Sequence, residues 1–262
     1  MTQVVSISSL KGGVGKTSVT LGLASAALNA GISALVVDLD PHGDASTGLA
    51  VSSEQASGSD AASLLNAPKK TRLAEVVVPA GWLGLPEVSG GRLDVVVGSA
   101  RSNAYEHLAA NRRNLSRLTT ALTQAGDYEL VLIDCPPALN SLTMIAWAAS
   151  AKVLSVAEPS LFSVAGTERT MRAIARFEQE SEFKVRAASV VVNKVQPHSA
   201  EHLYRIEELE GMFGPLLVSP TVAETAVWQQ VQGSAYPVHA WPGQEAREMA
   251  ESFDQILRGL LD

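Results

Sequence analysis

The stretch SLKGGVGKTS, residues 9–18, decides the fold. It follows an apolar run at residues 4–8 that is typical of a β-strand, and it precedes a run of helical composition. Gly12, Gly13 and Gly15 allow the tight turn that such a junction needs, and they let successive backbone N–H groups converge on one point. Because the following helix directs its N-terminus at the same point, the sequence predicts an anion site between strand and helix.

Two side chains make a nucleoside triphosphate the expected anion. Lys16 brings a full positive charge to the β- and γ-phosphates, and the Thr17 hydroxyl is a ligand for Mg²⁺. The general loop is G-x-x-x-x-G-K-[ST], and here Ser9 stands in place of the first glycine. A glycine-rich turn that only caps a helix is the alternative, but it does not account for the lysine and the hydroxyl together. The predicted nucleotide-binding residues of the loop are Gly12, Gly13, Val14, Gly15, Lys16, Thr17 and Ser18.

Short β-branched runs alternate with longer helical stretches along the chain, a pattern typical of an α/β fold with a mainly parallel sheet. Strands are expected at residues 4–8, 34–38, 93–97, 130–134, 153–157 and 188–192. Helices are expected at residues 16–30, 101–125, 163–180, 199–212 and 244–261. Small polar residues from 51 to 62 predict a surface loop. Because the chain has no repeat and no Pro/Gly-rich linker, residues 1–262 are expected to form a single domain.

The composition limits the class of protein. The chain has 262 residues, 46% of them hydrophobic, which suffices for a packed core and excludes disorder of the bulk. A formal net charge of −7 argues against a surface built to attract polyanions everywhere, but it allows a local basic patch. The single cysteine, Cys135, excludes a disulfide framework and is expected to be buried. The sequence begins without a signal-peptide pattern and has no membrane-length apolar run, so a cytoplasmic protein is expected.

Four motifs, in order along most of the chain, resemble those of the ParA/MinD family of deviant Walker A P-loop ATPases, in its partition (ParA) branch. KGGVGKT at residues 11–17 has the lysine at both ends that distinguishes this family's loop. VDLDPHGDAS at 37–46 resembles its first switch segment, and LIDCPPALNSL at 132–142 resembles its Walker B and second switch segment. VVNKV at 191–195 is the fourth match. The resemblance implies one P-loop NTPase domain with a mainly parallel, twisted sheet and helices on both faces.

The resemblance also implies roles for charged residues of these motifs. Lys11 is expected to reach across a dimer interface to the nucleotide phosphates of a second copy. Lys11, Lys16 and Asp40 are therefore the expected catalytic residues. Asp40 would orient or activate the attacking water, and the alternative is a turn aspartate that precedes Pro41.

Two further aspartates are candidate magnesium residues. Asp134 ends an apolar strand, where a carboxylate needs a cation or hydrogen-bond donors, and Mg²⁺ would supply the cation directly or through water. The alternative is that Asp134 caps the following turn. Asp38 is expected to support the loop or the metal shell, so the predicted metal residues are Thr17, Asp38 and Asp134.

The nucleotide base is expected beyond the strand at residues 188–192. The amide of Asn193 both donates and accepts, which suits an adenine edge and agrees with the resemblance. An ordinary turn asparagine fits the sequence almost as well. Pro220 falls where the family has a second loop beside the base.

Two departures from the family pattern bear on function. His42 and Asp44 stand in place of the usual Gln and Asn of the first switch segment, and the charge of Asp44 would slow hydrolysis or alter metal binding. Residues 218–230, VSPTVAETAVWQQ, lack the arginines with which many partition members grip DNA. Trp228 in this segment is either a partner contact or a core residue.

Nonspecific DNA binding needs several cations that face phosphates. The best candidates lie at i, i+3 and i+7 on one helical face: Arg169, Arg172 and Arg176. Two further clusters are Arg112, Arg113 and Arg117, and Lys69, Lys70 and Arg72. Any of these clusters also fits an ordinary solvated helix face. The acidic balance of residues 245–262 disfavours membrane binding of the MinD kind.

Together the motifs and the resemblance predict an ATP-dependent switch. ATP and Mg²⁺ would bridge two copies into a homodimer, and slow hydrolysis, stimulated by a ParB-like activator protein, would dissolve it. Such a switch segregates plasmid or chromosomal DNA, in the cytoplasm and in association with the nucleoid. The alternatives are an ATPase that positions a protein cargo without DNA binding, and a non-hydrolysing, nucleotide-bound adaptor.

Overall fold

The computed structural model describes residues 2–52, 55, 58–88, 91–185 and 187–262. The strands in these ranges are β1 (Gln3–Ser8), β2 (Ala34–Asp38), β3 (Val77–Pro79), β4 (Leu93–Val96), β5 (Leu130–Asp134), β6 (Lys152–Ala157), β7 (Ala187–Val192) and β8 (Leu217–Val218). They form one sheet in the order β3-β4-β2-β5-β1-β6-β7-β8, in which β3 pairs antiparallel with β4 and the other neighbours pair parallel. The carboxyl ends of the parallel strands therefore meet at one edge, where open α/β sheets bind their ligands.

The helices in the described ranges are α1 (Lys16–Asn29), α2 (Asp44–Gly48), α3 (Ala61–Asn66), α4 (Arg112–Leu122), α5 (Ser141–Ala149), α6 (Leu161–Glu180), α7 (Ala200–Phe213), α8 (Ala226–Gly233) and α9 (Gln244–Leu261). They cover both faces of the sheet. Val36 of β2 enters a core with side chains of α1 and α9, while Leu35 and Val37 enter a second core with side chains of α4, α5 and α6. This alternation is the period of two that a strand buried on both faces requires.

The fold class predicted from the sequence is confirmed, and the six predicted strands lie within one residue of their expected bounds. The strands β3 and β8 and the helices α2, α3, α5 and α8 were not predicted. No described helix is both long enough and apolar enough to cross a membrane.

The helix predicted at residues 101–125 is wrong in its first half. A 3₁₀ helix covers Ala100–Tyr105, and α4 begins only after Asn111, whose side chain accepts a hydrogen bond from the Asn114 N–H at 3.0 Å. Between the two, the carbonyl groups of Glu106 and Leu108 accept hydrogen bonds from the N–H and hydroxyl of Ser141, at 3.1 and 2.6 Å. Backbone groups that a continuous helix would use internally therefore bind the second switch segment instead.

The surface loop predicted at residues 51–62 is wrong at its C-terminal end. Ala61 and Ala62 begin α3 and are buried. Asp60 caps this helix, because its Oδ1 accepts a hydrogen bond from the Ser63 N–H at 2.8 Å. Residues 53, 54, 56 and 57 of the stretch lie outside the described residues.

Candidate nucleotide-binding site

The glycine-rich loop joins β1 to α1 at the carboxyl edge of the sheet. Gly13 and Gly15 have φ angles of 81° and 90°, in the left-handed region that favours glycine. A Cβ atom at Gly15 would lie 2.2 Å from Nδ2 of Asn193, so a side chain there would displace that amide. The Asn193 amide donates to the Val14 carbonyl at 2.9 Å, and Nζ of Lys194 donates to the Gly13 carbonyl at 2.6 Å. With these carbonyl oxygens engaged, the loop offers hydrogen-bond donors rather than acceptors to an anion.

A cavity of about 420 Å³ opens beside this loop. It brings together seven of the predicted site residues: Gly13, Gly15, Lys16, Thr17, Ser18, Asp40 and Asn193. The remaining predicted nucleotide and metal residues are not among its lining: Lys11, Gly12, Val14, Asp38, Asp134 and Pro220. The loop, the first switch segment and the end of β7 thus meet at one cavity.

Asp134 lies beneath the floor of this cavity and is completely buried. Its two carboxylate oxygens accept hydrogen bonds from the hydroxyl groups of Thr17 and Thr20, both at 2.8 Å. Burial raises the pKa of Asp134, and these two hydrogen bonds and the nearby charge of Lys16 offset only part of that rise. Asp134 therefore acts on the cavity through Thr17, whose hydroxyl oxygen it holds in a fixed orientation.

Asp38 is also fully buried, and it is opposite Asp134 in the register of β2 and β5. Its Oδ2 accepts hydrogen bonds from the Ser46 N–H at 2.8 Å and the Ser46 hydroxyl at 2.6 Å, and its Oδ1 accepts one from the Asp40 N–H at 3.2 Å. Burial, together with repulsion from Asp134, raises the pKa of Asp38. Asp38 therefore holds the first switch segment in place through its hydrogen bonds to Ser46 and Asp40.

Of the three aspartates Asp38, Asp40 and Asp134, all of them buried, only Asp40 lines the cavity. Its Oδ1 accepts a hydrogen bond from the N–H of His42 at 3.0 Å, and its residue surface is only 8% exposed. His42 and Asp44 line the same side of the cavity. The first switch segment thus places three titratable side chains beside Lys16 and Thr17.

The two lysines of the loop lie in different surroundings. Lys16 is 7% exposed and lines the cavity. Lys11 forms an ion pair with Glu158, lies 3.3 Å from the hydroxyl of Ser160, and keeps 26% of its side chain exposed. Burial alone would raise the pKa of Glu158, but the hydrogen bond and charge of Lys11 outweigh it and hold that pKa below its usual range. Lys11 does not line its own cavity and is held beside it by Glu158 and Ser160.

Several residues of the site were missed by the sequence analysis. Thr20 was detectable, because it lies three residues after Thr17 on the same helical face. Lys194 stood inside a quoted motif without an assigned role. The segment 223–232 has no recognisable pattern, yet Gln232 donates from Nε2 to the Ser18 hydroxyl at 2.9 Å and so closes the cavity wall.

Trp228 was expected to be either a partner contact or a core residue, and Cys135 was expected to be buried. Trp228 lines the cavity and also packs on the ring of Phe253, with 5.5 Å between ring centroids, so the core contact is real. Cys135 is fully buried, as expected, and burial raises the pKa of its thiol.

The predicted DNA-binding arginines lie on α6, away from this cavity. Arg169, Arg172 and Arg176 line a separate groove of about 630 Å³ whose floor includes Trp147 and Phe177. Arg172 forms an ion pair with Glu168, and Arg176 forms one with Glu180 at 2.8 Å. Two of the three guanidinium groups are thus already partnered on their own helix.

The fold and the site are those of a P-loop nucleotide-binding protein, and comparisons with known proteins agree. Residues 2–187 match the family model described as AAA domain, so the chain belongs to that family. The chromosome partitioning protein ParA of Myxococcus xanthus is 28% identical over 221 residues, which cover 80% of this chain and 71% of that protein.

Two solved structures share the whole architecture. A variant of McdA from Cyanothece, in complex with ATP, superposes with a TM-score of 0.81 at 19% identity, covering 99% of this chain and 95% of that chain. Cobyrinic acid a,c-diamide synthase from Mycobacterium smegmatis, with bound ADP and magnesium, superposes with a TM-score of 0.79 at 18% identity, covering 100% and 94%. At these identities the likeness concerns the fold. Together with the motifs, the matches place this chain in the ParA/MinD family of P-loop ATPases, as the sequence predicted.

Proposed function

We propose that this chain is a Mg²⁺-dependent ATPase whose ATP-bound form is a homodimer, and that it partitions DNA by cycling between dimer and monomer. The observation that carries the proposal is the contrast between the two loop lysines. Lys16 lines the chain's own cavity, whereas Lys11 lies outside it and remains partly exposed. A cation held beside the loop but outside its own cavity is suited to the phosphates of a second copy.

The residues present fit a triphosphate. The loop has the left-handed glycines of a phosphate cradle, and the N-terminus of α1 points its partial positive charge at the cavity. Lys16 adds a buried positive charge at the same place. Because buried charges need partners, an anionic ligand at this position stabilises Lys16 as much as Lys16 stabilises the ligand.

The residues also fit Mg²⁺. Among the described residues, no group of three or more His, Cys, Asp and Glu is arranged to hold a metal ion alone. Mg²⁺ suits such a site, because it is bound through few protein oxygens, substrate phosphates and water. The Thr17 hydroxyl, held by Asp134, would be the direct ligand, and Asp134 would act directly or through water. When bound, Mg²⁺ neutralises charge that develops on the β- and γ-phosphate oxygens.

Hydrolysis requires a positioned water rather than covalent chemistry. Asp40 would accept a hydrogen bond from the water that attacks the γ-phosphorus in line with the bond to ADP. The water's oxygen forms the new P–O bond, one of its O–H bonds and the bond to the β-phosphate oxygen break, and the products are ADP, inorganic phosphate and a proton released to solvent. Lys16, and Lys11 of the partner subunit, would stabilise the charge on the transferred phosphoryl group.

The proposed dimer interface has an apolar component next to Lys11. Leu161 and Phe162 directly follow Ser160, the residue that contacts Lys11, and they are 54% and 75% exposed. Leu139, in the second switch segment, is 53% exposed. Large exposed apolar side chains beside a polar rim are typical of association surfaces. ATP shifts the equilibrium only as far as it binds the dimer more tightly than the monomer, and a near-complete shift needs a preference of roughly 10⁴-fold.

The DNA-partition role is supported by the family and by the similarity to a chromosome partitioning protein. By the same resemblance, turnover would be slow until a ParB-like partner stimulates it. The missing arginines at residues 218–230 mean that DNA would have to contact a different surface of this chain.

The proposal is tested by three measurements on one preparation: mass by light scattering, phosphate release, and retention of duplex DNA at graded salt. Each is made with ADP, ATP and a non-hydrolysable ATP analogue. We expect dimers and salt-sensitive DNA retention with ATP and the analogue, and phosphate release with ATP alone. Turnover and dimers without DNA retention would favour positioning of a protein cargo. Nucleotide binding without phosphate release, also in the presence of DNA, would favour the non-hydrolysing adaptor.

A further inference from the structure

Two basic clusters that lie far apart in sequence are brought together by the fold. Lys69 and Lys70, which follow α3, line a cavity of about 800 Å³ together with Arg112, Arg113 and Arg117 of α4. An adjoining cavity of about 350 Å³ shares Lys69 and Lys70 and adds Arg72. We refer to these six residues as the basic face: Lys69, Lys70, Arg72, Arg112, Arg113 and Arg117.

The basic face has a positive charge that its surroundings do not cancel. Among the described residues, no acidic side chain lines either cavity. Arg112 pairs with Glu182 at 3.2 Å and Arg72 with Glu75 at 4.0 Å, but exposed pairs of this kind hold their partners weakly. In a chain with a net charge of −7, six cations on one surface form a strong local field.

The arginines of α6 differ in this respect. Helix α6 carries Arg169, Arg172 and Arg176 together with three glutamates, so its formal charges cancel. The pairs Arg172–Glu168 and Arg176–Glu180 join neighbouring turns of this helix. These pairs are as exposed as those of the basic face, so the difference lies in the net charge: a phosphate that approached α6 would meet a formally neutral helix.

We propose that the basic face binds the phosphate backbone of duplex DNA. This inference rests on the proposed function and deepens it by locating DNA on the α3–α4 side of the molecule. Lysine and arginine alternate there with hydroxyl and amide side chains of Asn66, Ser116 and Thr120, which are the groups that contact DNA backbones. Arg117 is preorganised, because its guanidinium donates to the Leu65 carbonyl at 2.8 Å and lies 5.8 Å from the Tyr105 ring centroid.

The chemistry of the face favours nucleic acid over an anionic membrane. Peripheral membrane binding needs apolar side chains that enter the lipid. The large exposed apolar residues of the described chain lie elsewhere: Leu139, Leu161, Phe162, Leu203, Tyr204, Met212, Leu216 and Leu261. A dimer would present two copies of the face, so ATP would strengthen DNA binding through the second contact.

The experiment compares two triple variants that each remove three positive charges. The first is Lys69→Ala, Lys70→Ala and Arg113→Ala, and these three residues are exposed. The second, the matched control, is Arg169→Ala, Arg172→Ala and Arg176→Ala. DNA retention is measured with the non-hydrolysable analogue over a range of salt concentrations, with a short labelled duplex. We expect the first variant to bind DNA about tenfold or more weakly, with the log–log salt slope reduced by roughly 0.9 for each lost contact. The control is expected to bind like the unmodified chain.

Folding and lipid binding are checked separately. ATP-dependent dimerisation must persist in both variants, and the conservative variant Lys69→Arg, Lys70→Arg and Arg113→Lys must retain DNA. If the first variant binds DNA as well as the unmodified chain, or if only the α6 variant loses DNA binding, the basic face is not the DNA site. The proposed function would still stand. No DNA binding by the unmodified chain, with dimers and turnover intact, would overturn the DNA role itself. Binding to phosphatidylglycerol vesicles without binding to DNA would overturn the proposal, because the basic face would then bind a membrane.

Discussion

The two sides of the nucleotide cavity differ in structure: backbone geometry forms one, and single side chains form the other. The phosphate side comes from the loop at residues 12–18 and from the first switch segment. Backbone geometry and the buried carboxylate of Asp134 fix the loop, and the buried carboxylate of Asp38 fixes the switch segment. The opposite side comes from Asn193 and Lys194 and from the segment 223–232, which contribute single side chains. The comparison teaches that a backbone cradle has a sequence motif because its conformation demands glycine at fixed positions, whereas the single side chains of residues 223–232 follow no recognisable pattern.

The largest expected effect is on the phosphate side. Lys16→Ala removes a buried positive charge that the ligand phosphates would otherwise pair with, so ATP affinity should fall about 1000-fold, within the range for loss of a buried charge pair. Calorimetric titration with ATP measures it. Lys184→Ala, which removes an exposed lysine on another surface, is the control. Unchanged ATP affinity in Lys16→Ala would refute the assignment of the loop.

Substitution of Asp40, on the same side, separates ATP hydrolysis from ATP binding. Asp40→Ala should reduce the rate of phosphate release at least about 100-fold, the usual contribution of a positioned acid–base group, while ATP affinity stays within threefold. The variant should accumulate as an ATP-bound dimer in light scattering. Phosphate release at the rate of the unmodified chain would remove Asp40 from catalysis.

Substitution of Lys11 tests whether one chain supplies all the residues that contact the nucleotide phosphates. Lys11→Ala should bind ATP nearly as well as the unmodified chain, because Lys11 does not line its own cavity. Dimerisation with the non-hydrolysable analogue should weaken about 30-fold, which corresponds to one charge-assisted hydrogen bond. Sedimentation at graded protein concentration measures the change. A Lys11→Ala variant that dimerises normally would contradict the cross-subunit role.

Substitution of Lys194 tests the hydrogen bond that joins the two sides of the cavity. Lys194→Ala removes the hydrogen bond to the Gly13 carbonyl, and a bond of this kind contributes about 1 kcal/mol, so ATP affinity should fall about fivefold. Lys194→Arg should recover part of the loss. A reduction as large as that of Lys16→Ala would mean that both sides hold the phosphates equally.

The smallest effect concerns His239, which lies between α1 and α9, outside both sides of the cavity. Nδ1 of His239 forms a hydrogen bond of 2.7 Å with the hydroxyl of Ser25 in α1. Its Nε2 lies 3.0 Å from Oδ1 of Asp254 in α9. Burial lowers the pKa of His239, and the charge of Asp254 opposes that shift only in part. The unfolded chain therefore takes up this proton more readily, so the histidine's contribution to stability is complete above pH 6.5 and is lost as the pH falls below it.

His239→Gln should reduce this loss of stability on acidification. Urea unfolding at neutral and mildly acidic pH, followed for both proteins, isolates the contribution of the histidine from that of the carboxylates. The same pH dependence in both proteins would show that the imidazole does not titrate with folding.

Much of the fold and of the phosphate side could be predicted from the sequence. The central strands β2 and β5 are apolar up to their final aspartate. The bounds of α9 are those predicted, because its apolar stripe has the helical period throughout. The break between residues 106 and 111 could not be predicted, since it depends on Ser141, which approaches only after folding. For the same reason the ion pair of Lys11 with Glu158 has no local signal, because the two residues come from different strand ends.

The hydroxyl of Ser46 joins two strand ends, since it donates to Asp38 and accepts from the N–H of Gly98 at 2.9 Å. The adjacent Ser99 donates at 2.6 Å to Asp60, the residue that caps α3. An uninterrupted path of short polar contacts therefore runs from the residue beneath Asp40 to the helix that precedes Lys69. In the proposed cycle, a displacement of Asp40 would reach the basic face along this path without any hinge or domain rotation.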